Sequence, residues 1–324
     1  MESTPSSDRL ARRLRWYREN RGLTQAQVAA AMGFKDRQIL AAVEAGDRRV
    51  SPEELVRATN VLGVELEDLL DPFRLVGEGD FSFRTEPEAE PADVEDFAGR
   101  ASRWIATYRE LSRQEGIALR PLTQKLDIRR DSSFEQVQAS AESLWKQWSL
   151  GDIPALVLEE AATRELGVVV LHVEAPKGIS GAASQLPGLR TILINRRESR
   201  GRRMFDLAHE LFHILTWDAM PPERVESREI KASKGNRVEQ LASNFASALL
   251  MPEAVVSANW QRRGELDVAA WVLLTAKTLC VSPNALRWRL VNLKVLTMPR
   301  RKPTRATTRT STSSGSPSSP TRAR

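Results

Sequence analysis

The sequence predicts a mainly α protein with a small β-sheet, made of an all-α N-terminal part and an α+β C-terminal part. Three observations predict this class. Residues 8–73 contain short amphipathic segments that are separated by helix-capping and turn residues. Two apolar runs, VVVLHV at 168–173 and RTILIN at 190–195, are rich in β-branched residues and are typical of strands, and the first of them predicts a buried strand. From about Arg202 onward, apolar residues recur at helical spacing.

Composition and charge exclude several classes of protein. The 324 residues, 41% of them hydrophobic, suffice for about two domains with real cores. Cys280 is the only cysteine, which excludes a disulfide framework and Cys-rich zinc modules. The net charge of +6 comes from the end of the chain, because residues 299–324 hold seven basic residues and no acid. The N-terminus lacks a signal-peptide core and no apolar stretch reaches the roughly 18 residues that span a bilayer, so we expect a cytoplasmic protein without a membrane partner.

The first 73 residues predict a domain of five short helices. Thr24 followed by Gln27 forms a capping-box pattern at the start of the second helix, and the third runs from about Asp36 to Ala45. Ser51 opens the fourth helix, and VELEDLL forms a short fifth. Helices two and three are joined by a short turn, GFKDRQ, which is helix-turn-helix spacing.

The middle of the chain, residues 74–134, is predicted to connect two domains. Residues 74–92 are rich in glycine, proline and acid, which is typical of a linker. Residues 93–115 then carry an apolar stripe at helical spacing and predict an amphipathic helix. The segment 178–188 is interpreted as a loop, with a short edge strand as the alternative. Residues 135–298 are predicted to form the second domain, and residues 299–324 a disordered basic tail.

The sequence His209-Glu210-Leu211-Phe212-His213 is the most specific chemical signal in the chain. On a helix, residues i and i+4 lie on one face, so both imidazoles can bind one metal ion. Glu210 lies about 100° away and can take a proton from a metal-bound water without being a ligand. The third histidine of the chain, His172, is interpreted as an ordinary core or surface residue.

A catalytic zinc site needs a third protein ligand, and the scarcity of His and Cys points to a carboxylate. Glu239 is the best physical choice, because it begins the apolar helix EQLASNFASALLM and lies 26 residues after His213, enough for an antiparallel return. The other candidates, which belong to a stretch more typical of a solvated charge run, are Asp218, Glu223, Glu226 and Glu229.

The two segments RRMFDLAHELFHILTW and EQLASNFASALLMP together resemble the ImmA/IrrE family of zinc metallopeptidases. The resemblance covers about residues 135–298 and implies an HExxH zincin-like α+β fold with Zn²⁺ as the cofactor. It implies the ligands His209, His213 and Glu239, with Glu210 as the general base of peptide hydrolysis. Where the family has Asn or Asp four residues after the third ligand, this chain has Ser243.

Three residues are candidates for orienting a metal-bound histidine in place of the usual side chain: Asp206, Ser243 and Asn244. Asp206 lies three residues before His209 and therefore on the same face of the helix. We also expect an edge strand within 180–195 to hold an extended peptide substrate by strand addition.

The segment LTQAQVAAAMGFKDRQILAAVEAGDRR resembles the XRE, or lambda-repressor-like, helix-turn-helix family over residues 8–73. Residues 9–49 hold ten Lys or Arg against four acids, a polarity that suits phosphate contact. The resemblance implies double-stranded DNA as a partner. By residue chemistry and position, the candidate DNA contacts are Gln25, Gln27, Lys35, Arg37, Gln38, Arg48 and Arg49.

Together these patterns predict a DNA-binding transcriptional regulator with a zinc metalloendopeptidase domain that cleaves a repressor or another regulatory protein. One alternative is a helix-turn-helix transcription factor whose peptidase-like domain is a non-catalytic ligand or metal sensor. Another is a module that sequesters a partner, as in toxin–antitoxin pairs. Domains of the N-terminal kind often bind DNA as dimers, so a homodimer is one expectation.

Overall fold

The computed structural model describes residues 5–118, 122, 124–222, 225–227 and 237–296. The predicted tail 299–324 and the candidate ligands Glu223 and Glu229 lie outside these residues, as does the side chain of Glu226. The described elements are α1 (Pro5–Asn20), α2 (Gln25–Ala31), α3 (Arg37–Glu44), α4 (Pro52–Leu62), α5 (Leu66–Leu70), β1 (Asp80–Thr85), α6 (Pro91–Gln114), α7 (Phe134–Gln147), a 3₁₀ turn (Pro154–Leu156), α8 (Leu158–Leu166), β2 (Val169–Val173), β3 (Ile179–Leu186), β4 (Leu189–Asn195), α9 (Arg200–Thr216), β5 (Val225–Ser227), α10 (Arg237–Leu250), α11 (Glu253–Gln261), α12 (Val268–Thr278) and α13 (Pro283–Asn292). The predicted fold class, mainly α with a small sheet, is confirmed.

Helices α1–α5 form a domain with its own core, and their ends follow the predicted capping chemistry. Thr24 and Gln27 make a complete capping box at α2, and Ser51 with Glu54 makes another at α4. The core of this domain is built from buried aliphatic side chains on α1–α5, among them Leu14, Val28, Leu40, Leu62 and Leu69. Among the described residues, no single helix is both long and apolar enough to cross a membrane.

Within the described residues, the sheet has five strands in the order β2-β4-β3-β1-β5. Strand β3 is antiparallel to both of its neighbours, β4 and β1, while β2 is parallel to β4 and β5 is parallel to β1. Helix α9 packs against β3 and β4 on one face of the sheet, and α10 packs on the other side of α9. On the opposite face, Phe97 and Ile105 of α6 pack against Phe83 of β1 in a second buried cluster.

The prediction that residues 74–92 are only a linker is wrong. Residues 80–85 form β1, which lies inside the sheet and pairs with β3 from Asp80 to Thr85. The physical reason is that a strand of five or six residues is fixed by its distant partner, and the surrounding glycine, proline and acid content carries no information about that partner. The predicted helix at 93–115 is confirmed as α6.

The assignments of edge and central strands are also corrected. Segment 178–188 was expected to be a loop or a short edge strand, yet it contains β3, an eight-residue strand in the middle of the sheet. Conversely, β2 was expected to be buried, and it is an edge strand with half-exposed residues. Because β3 and β4 are both flanked by other strands, the expectation that residues 180–195 offer a free edge to a peptide substrate is wrong.

Candidate metal centre and nucleic-acid interface

Helix α9 carries the HELFH sequence into the centre of the C-terminal core. Its apolar residues, among them Leu207, Leu211 and Ile214, are fully buried between the sheet and α10. This packing removes His209 and His213 from solvent completely. A helix in the centre of a core is expected to be apolar on nearly all sides. Burying polar side chains there costs free energy unless a hydrogen bond, an ion pair or a metal ion compensates it.

Helix α10 brings Glu239 to the two histidines. Glu239 Oε2 lies 3.0 Å from His209 Nε2, and Glu239 Oε1 lies 3.3 Å from His213 Nε2. The two Nε2 atoms are 3.1 Å apart. One ligand atom from each of the three residues falls within 4.8 Å of the others, so the three side chains converge on one point. Two imidazole nitrogens and one carboxylate oxygen form a donor set that suits zinc, so the residues present fit this metal.

The electrostatics keep this donor set ready to bind a cation. Burial, assisted by the positive charge of Arg84, lowers the pKa of His209 to about 3, so its ring is neutral at pH 7. Burial alone would raise the pKa of Glu239, but the two adjacent histidines outweigh it and hold that pKa below its ordinary value. A neutral imidazole and an ionised carboxylate are the forms that bind a metal.

Glu210 lies beside this cluster in a dry environment. Its side chain is fully buried, and neither carboxylate oxygen has a hydrogen-bond partner among the described residues. Burial raises the pKa of Glu210 to about 7. The close neighbour on the sheet is Gly181 of β3, where a Cβ would lie 3.8 Å from Glu210 Oε1. A carboxylate whose pKa is near neutral is suited to accept and return a proton at pH 7.

The sequence analysis missed Arg84, which reaches this site from β1. Arg84 pairs with Gly181 across the strands, which places both residues on the face of the sheet that covers α9. Its guanidinium Nη1 lies 3.1 Å from Asp206 Oδ1, and both side chains are buried. The only signal was the alternation Phe81-Ser82-Phe83-Arg84, which is the period of a strand.

In the N-terminal domain, a buried ion pair joins α1 to α3. Arg18 of α1 donates two hydrogen bonds to Glu44 at the end of α3, with distances of 2.6 and 2.9 Å. Gln25 at the start of α2 donates to the same carboxylate at 2.9 Å. Three helices therefore meet at one carboxylate, which fixes the angle at which α3 is presented.

The start of α3 is the exposed part of the helix-turn-helix pair formed by α2 and α3. Lys35, Arg37 and Gln38 are exposed, and the Asp36 carboxylate caps α3 by accepting a hydrogen bond from the backbone N–H of Gln38. Side chains at the N-terminal end of the second helix of such a pair are the ones that reach base edges in the major groove.

The comparisons with known proteins agree with this two-part geometry. The model of an IrrE N-terminal-like domain, from the peptidase M78 family, matches residues 163–291, and a helix-turn-helix domain model matches residues 9–73. The chain therefore joins a helix-turn-helix domain to an IrrE N-terminal-like domain. No curated protein matches the chain. Among solved structures, the restriction-modification controller protein C.AhdI from Aeromonas hydrophila is 30% identical over 21% of this chain and 100% of that chain, with a TM-score of 0.20.

Within the IrrE N-terminal-like domain, two of the three residues predicted to orient a histidine, Asp206 and Asn244, have other contacts. Asp206 is completely buried against Arg84, with Arg202 Nε at 3.8 Å from its second oxygen. The Asn244 amide donates to the Gln240 carbonyl at 2.8 Å and accepts from Gln138 at 3.4 Å. Ser243 is half-buried on α10. Their predicted role therefore stays a prediction.

Two further residues of the C-terminal part lie away from the metal cluster: one was a candidate third ligand, and the other was predicted to have no role in the site. Asp218, one of the open third-ligand candidates, is exposed and forms an ion pair with Lys125 at 2.5 Å. His172 on β2 is about one-third exposed and lies 2.9 Å from Glu159. The described residues thus leave Glu239 as the carboxylate that completes the cluster.

In the helix-turn-helix domain, some predicted DNA contacts are already engaged. Gln25 is bound to Glu44, and Gln27 closes the capping box of α2. Arg48 forms two hydrogen bonds with Glu54, at 3.0 and 2.7 Å. Arg49 is exposed. The free side chains therefore cluster at the start of α3 and at Arg49, whereas the engaged ones position the helices.

Proposed function

We propose that this protein is a DNA-binding transcriptional regulator whose C-terminal domain is a zinc-dependent endopeptidase that cleaves another regulatory protein, such as a repressor. The observation that carries the proposal is the convergence of His209, His213 and Glu239 beside Glu210, with both histidines and Glu210 completely buried. Such a set is costly to bury unless a cation compensates it. The match to the peptidase M78 family supports the same chemistry.

In this proposal each residue of the site has one task. His209, His213 and Glu239 would hold the zinc ion, leaving one position for water or substrate. When bound, zinc supplies an acidified water and polarises the scissile carbonyl. Glu210 accepts the proton of the attacking water and passes it to the leaving amine, and its pKa of about 7 suits both transfers. Arg84 balances the negative charge of Asp206 beside the site.

The DNA-binding half rests on the helix-turn-helix match and on the exposed residues at the start of α3. Arg37 suits guanine and Gln38 suits adenine, while Lys35 and Arg49 suit phosphates. A peptidase carried on such a domain acts at a raised effective concentration on proteins bound to the same DNA region. This is the physical reason that a repressor is the proposed substrate.

The first test is the metal content of the full chain. We expect elemental mass spectrometry to find near one zinc per chain in the wild type and in Glu135→Ala, a control that removes an exposed carboxylate from the first turn of α7. Glu239→Ala should lose the zinc. Zinc retained by Glu239→Ala would move the third ligand elsewhere, and a wild type that stays metal-free when zinc is supplied at neutral pH would defeat the enzyme proposal.

The second test separates metal binding from catalysis. Glu210→Gln keeps the size of the side chain and removes the base, so we expect it to retain zinc and to lower the cleavage rate by about 10²–10⁴-fold. In cells, its effect on regulated transcripts should equal that of deleting the C-terminal domain. If the transcripts are unchanged by Glu210→Gln while DNA binding persists, proteolysis is not the output.

One observation favours a second candidate, in which the domain is a non-catalytic metal or ligand sensor. Both histidines and Glu210 are completely buried, and only the Glu239 side chain, 21% exposed, connects the cluster to solvent. A sensor needs only an ion to enter, whereas a peptidase must admit a peptide backbone. In that case Glu210→Gln is silent and Glu239→Ala abolishes regulation.

A further inference from the structure

Strand β2 is the long free edge of the sheet. It pairs with β4 on one side, and the described part of the chain has no strand on its other side. A strand in this position leaves the outward N–H and C=O groups of alternate residues without a ladder partner. The opposite end of the sheet is β5, which has only three residues in the described part. Strand β3, whose Gly181 lies near Glu210, has no free edge because it pairs with β1.

Two hollows flank this edge, one on each face of the sheet. On the α6 face, a groove of about 620 Å³ lies between α6 and β2; we call it the α6 groove. On the α9 face, a hollow of about 360 Å³ lies between β2, the 3₁₀ turn with α8, and the start of α9; we call it the α9 hollow. His172 lines both, so the two hollows meet at the strand itself.

The α6 groove is mainly apolar and aromatic, and the two arginines in its lining, Arg100 and Arg196, are already in ion pairs with Asp96 and Glu174. Trp104, Tyr108 and Leu111 of α6 form one wall, and Leu171 and Val173 of β2 form the other. Leu111 is 50% exposed. The groove therefore offers water-exposed apolar surface to a side chain that enters from the edge of the sheet.

The α9 hollow has the opposite character. Arg200 and Arg203 line it, and the buried Nε of Arg203 has no hydrogen-bond partner among the described residues. The one carboxylate of the lining, Glu159, is already bound to His172 at 2.9 Å. The hollow thus carries an excess of positive charge that suits a carboxylate.

We propose that the free edge of β2 binds an extended acidic–apolar peptide segment of a partner protein by strand addition, with neighbouring side chains placed alternately in the two hollows. Successive residues of a strand point to opposite faces of the sheet. An apolar residue in the α6 groove therefore requires its acidic neighbour to face Arg200 and Arg203. Main-chain hydrogen bonds give such a complex its affinity, and the two hollows give it specificity. The site does not involve the metal cluster.

The test uses a fluorescein-labelled peptide of alternating valine and aspartate, with full-length protein in chelator at low salt. A peptide of the same composition, with the valines and aspartates in separate blocks, is the control. We expect saturable binding of the alternating peptide, measured by fluorescence anisotropy, at least about tenfold tighter than that of the block peptide. Equal affinities, or no saturable binding, would overturn the proposal.

Backbone methylation tests the strand geometry directly. In an added strand, the N–H groups of alternate residues point toward β2 and the others point to solvent. Two versions of the alternating peptide, N-methylated at odd or at even positions, should therefore differ, with one losing binding and the other retaining it. If the two behave alike, the peptide is not added to the sheet edge.

Substitutions in the two hollows complete the test. We expect Arg203→Gln and Trp104→Ala each to weaken peptide binding by about tenfold, while the exposed controls Arg129→Gln and Trp288→Ala leave it unchanged. Far-ultraviolet circular dichroism verifies that each variant is folded, and the methylated pair of peptides does not depend on any variant. A free protein that is a dimer, and that the peptide dissociates, would show instead that a second copy occupies the edge.

Discussion

The ion pair between Arg84 of β1 and Asp206 of α9, the helix that carries His209 and His213, allows a quantitative test of its contribution to stability. Its charged atoms are 3.1 Å apart, and the side chains are 6% and 0% exposed. At an effective dielectric constant of about 20, two unit charges at this distance attract each other by about 5 kcal/mol. Removing each charge from water costs several kcal/mol, so the intact pair contributes little net stability, whereas a lone charge would be strongly unfavourable.

We therefore expect Arg84→Met to lower the free energy of unfolding by about 3–5 kcal/mol, because Arg202, at 3.8 Å, is then the one cation paired with Asp206 among the described residues. The double variant Arg84→Met/Asp206→Leu removes both charges and should recover to within about 1 kcal/mol of the wild type. Urea unfolding of the full chain in chelator, followed by tryptophan fluorescence and circular dichroism, measures these differences without a metal contribution.

The matched control is Arg15→Met, which breaks an ion pair of similar length on the surface. Arg15 lies 2.9 Å from Glu19 with side chains 62% and 51% exposed, and such pairs contribute less than about 1 kcal/mol. The reasoning is refuted if Arg84→Met costs no more than Arg15→Met. It is also refuted if the double variant is as unstable as Arg84→Met, because a buried unpaired charge would then not be the cause.

Three further predictions concern the helix-turn-helix domain and its contact with the segment that follows it. Arg37→Ala should weaken specific DNA binding by roughly 1–3 kcal/mol and relax one operator position, whereas equal loss on random DNA in the same electrophoretic assay would reduce Arg37 to a phosphate contact. The hydrogen bonds from Arg48 lower the pKa of Glu54. The ionised Glu54 therefore stabilises the fold fully above its ordinary pKa of 4.5, and this stabilisation is lost as the pH falls below that value. The difference in unfolding free energy between wild type and Glu54→Gln, measured with denaturant, should shrink from pH 7 to pH 3. Gly77→Ala should lower the melting temperature, because its Cβ would lie 2.0 Å from the Trp16 ring and its φ is +61°; an unchanged melting temperature would contradict this close contact.

Much of the fold and the candidate metal cluster could be predicted because the signals are local. The capping box of Thr24 and Gln27 needs only four residues, and the structure confirms it. The i, i+4 spacing of His209 and His213 likewise follows from helix geometry alone. Glu239 needed one further step, the apolar face of the helix that it begins, and the structure brings it to both histidines.

The order of the strands could not be predicted, because it depends on partners far apart in the sequence. Strand β1 is held by β3, about a hundred residues later, and its Gly/Pro-rich surroundings resemble a linker. Strand β2 is apolar except for His172, yet it lies at the edge of the sheet, with no described strand on its outer side. The free edge of the sheet is therefore β2, whereas residues 180–195, where an edge strand was expected, lie inside the sheet.

The segment between the helix-turn-helix domain and the C-terminal domain makes contacts with both. Arg13 of α1 is completely buried and donates to Glu78 at 3.2 Å, and Glu78 also pairs with Arg109 of α6. Two residues after Glu78 the chain enters β1, whose Arg84 contacts Asp206 on the metal-site helix. A flexible tether would let the metal centre reach any protein within its length. The contacts of Arg13, Glu78 and Arg84 instead fix the direction of the metal centre from α3. If the proposed function holds, a repressor would have to be presented in one orientation on neighbouring DNA, and the helical phase between the two sites, as well as their distance, should govern its cleavage.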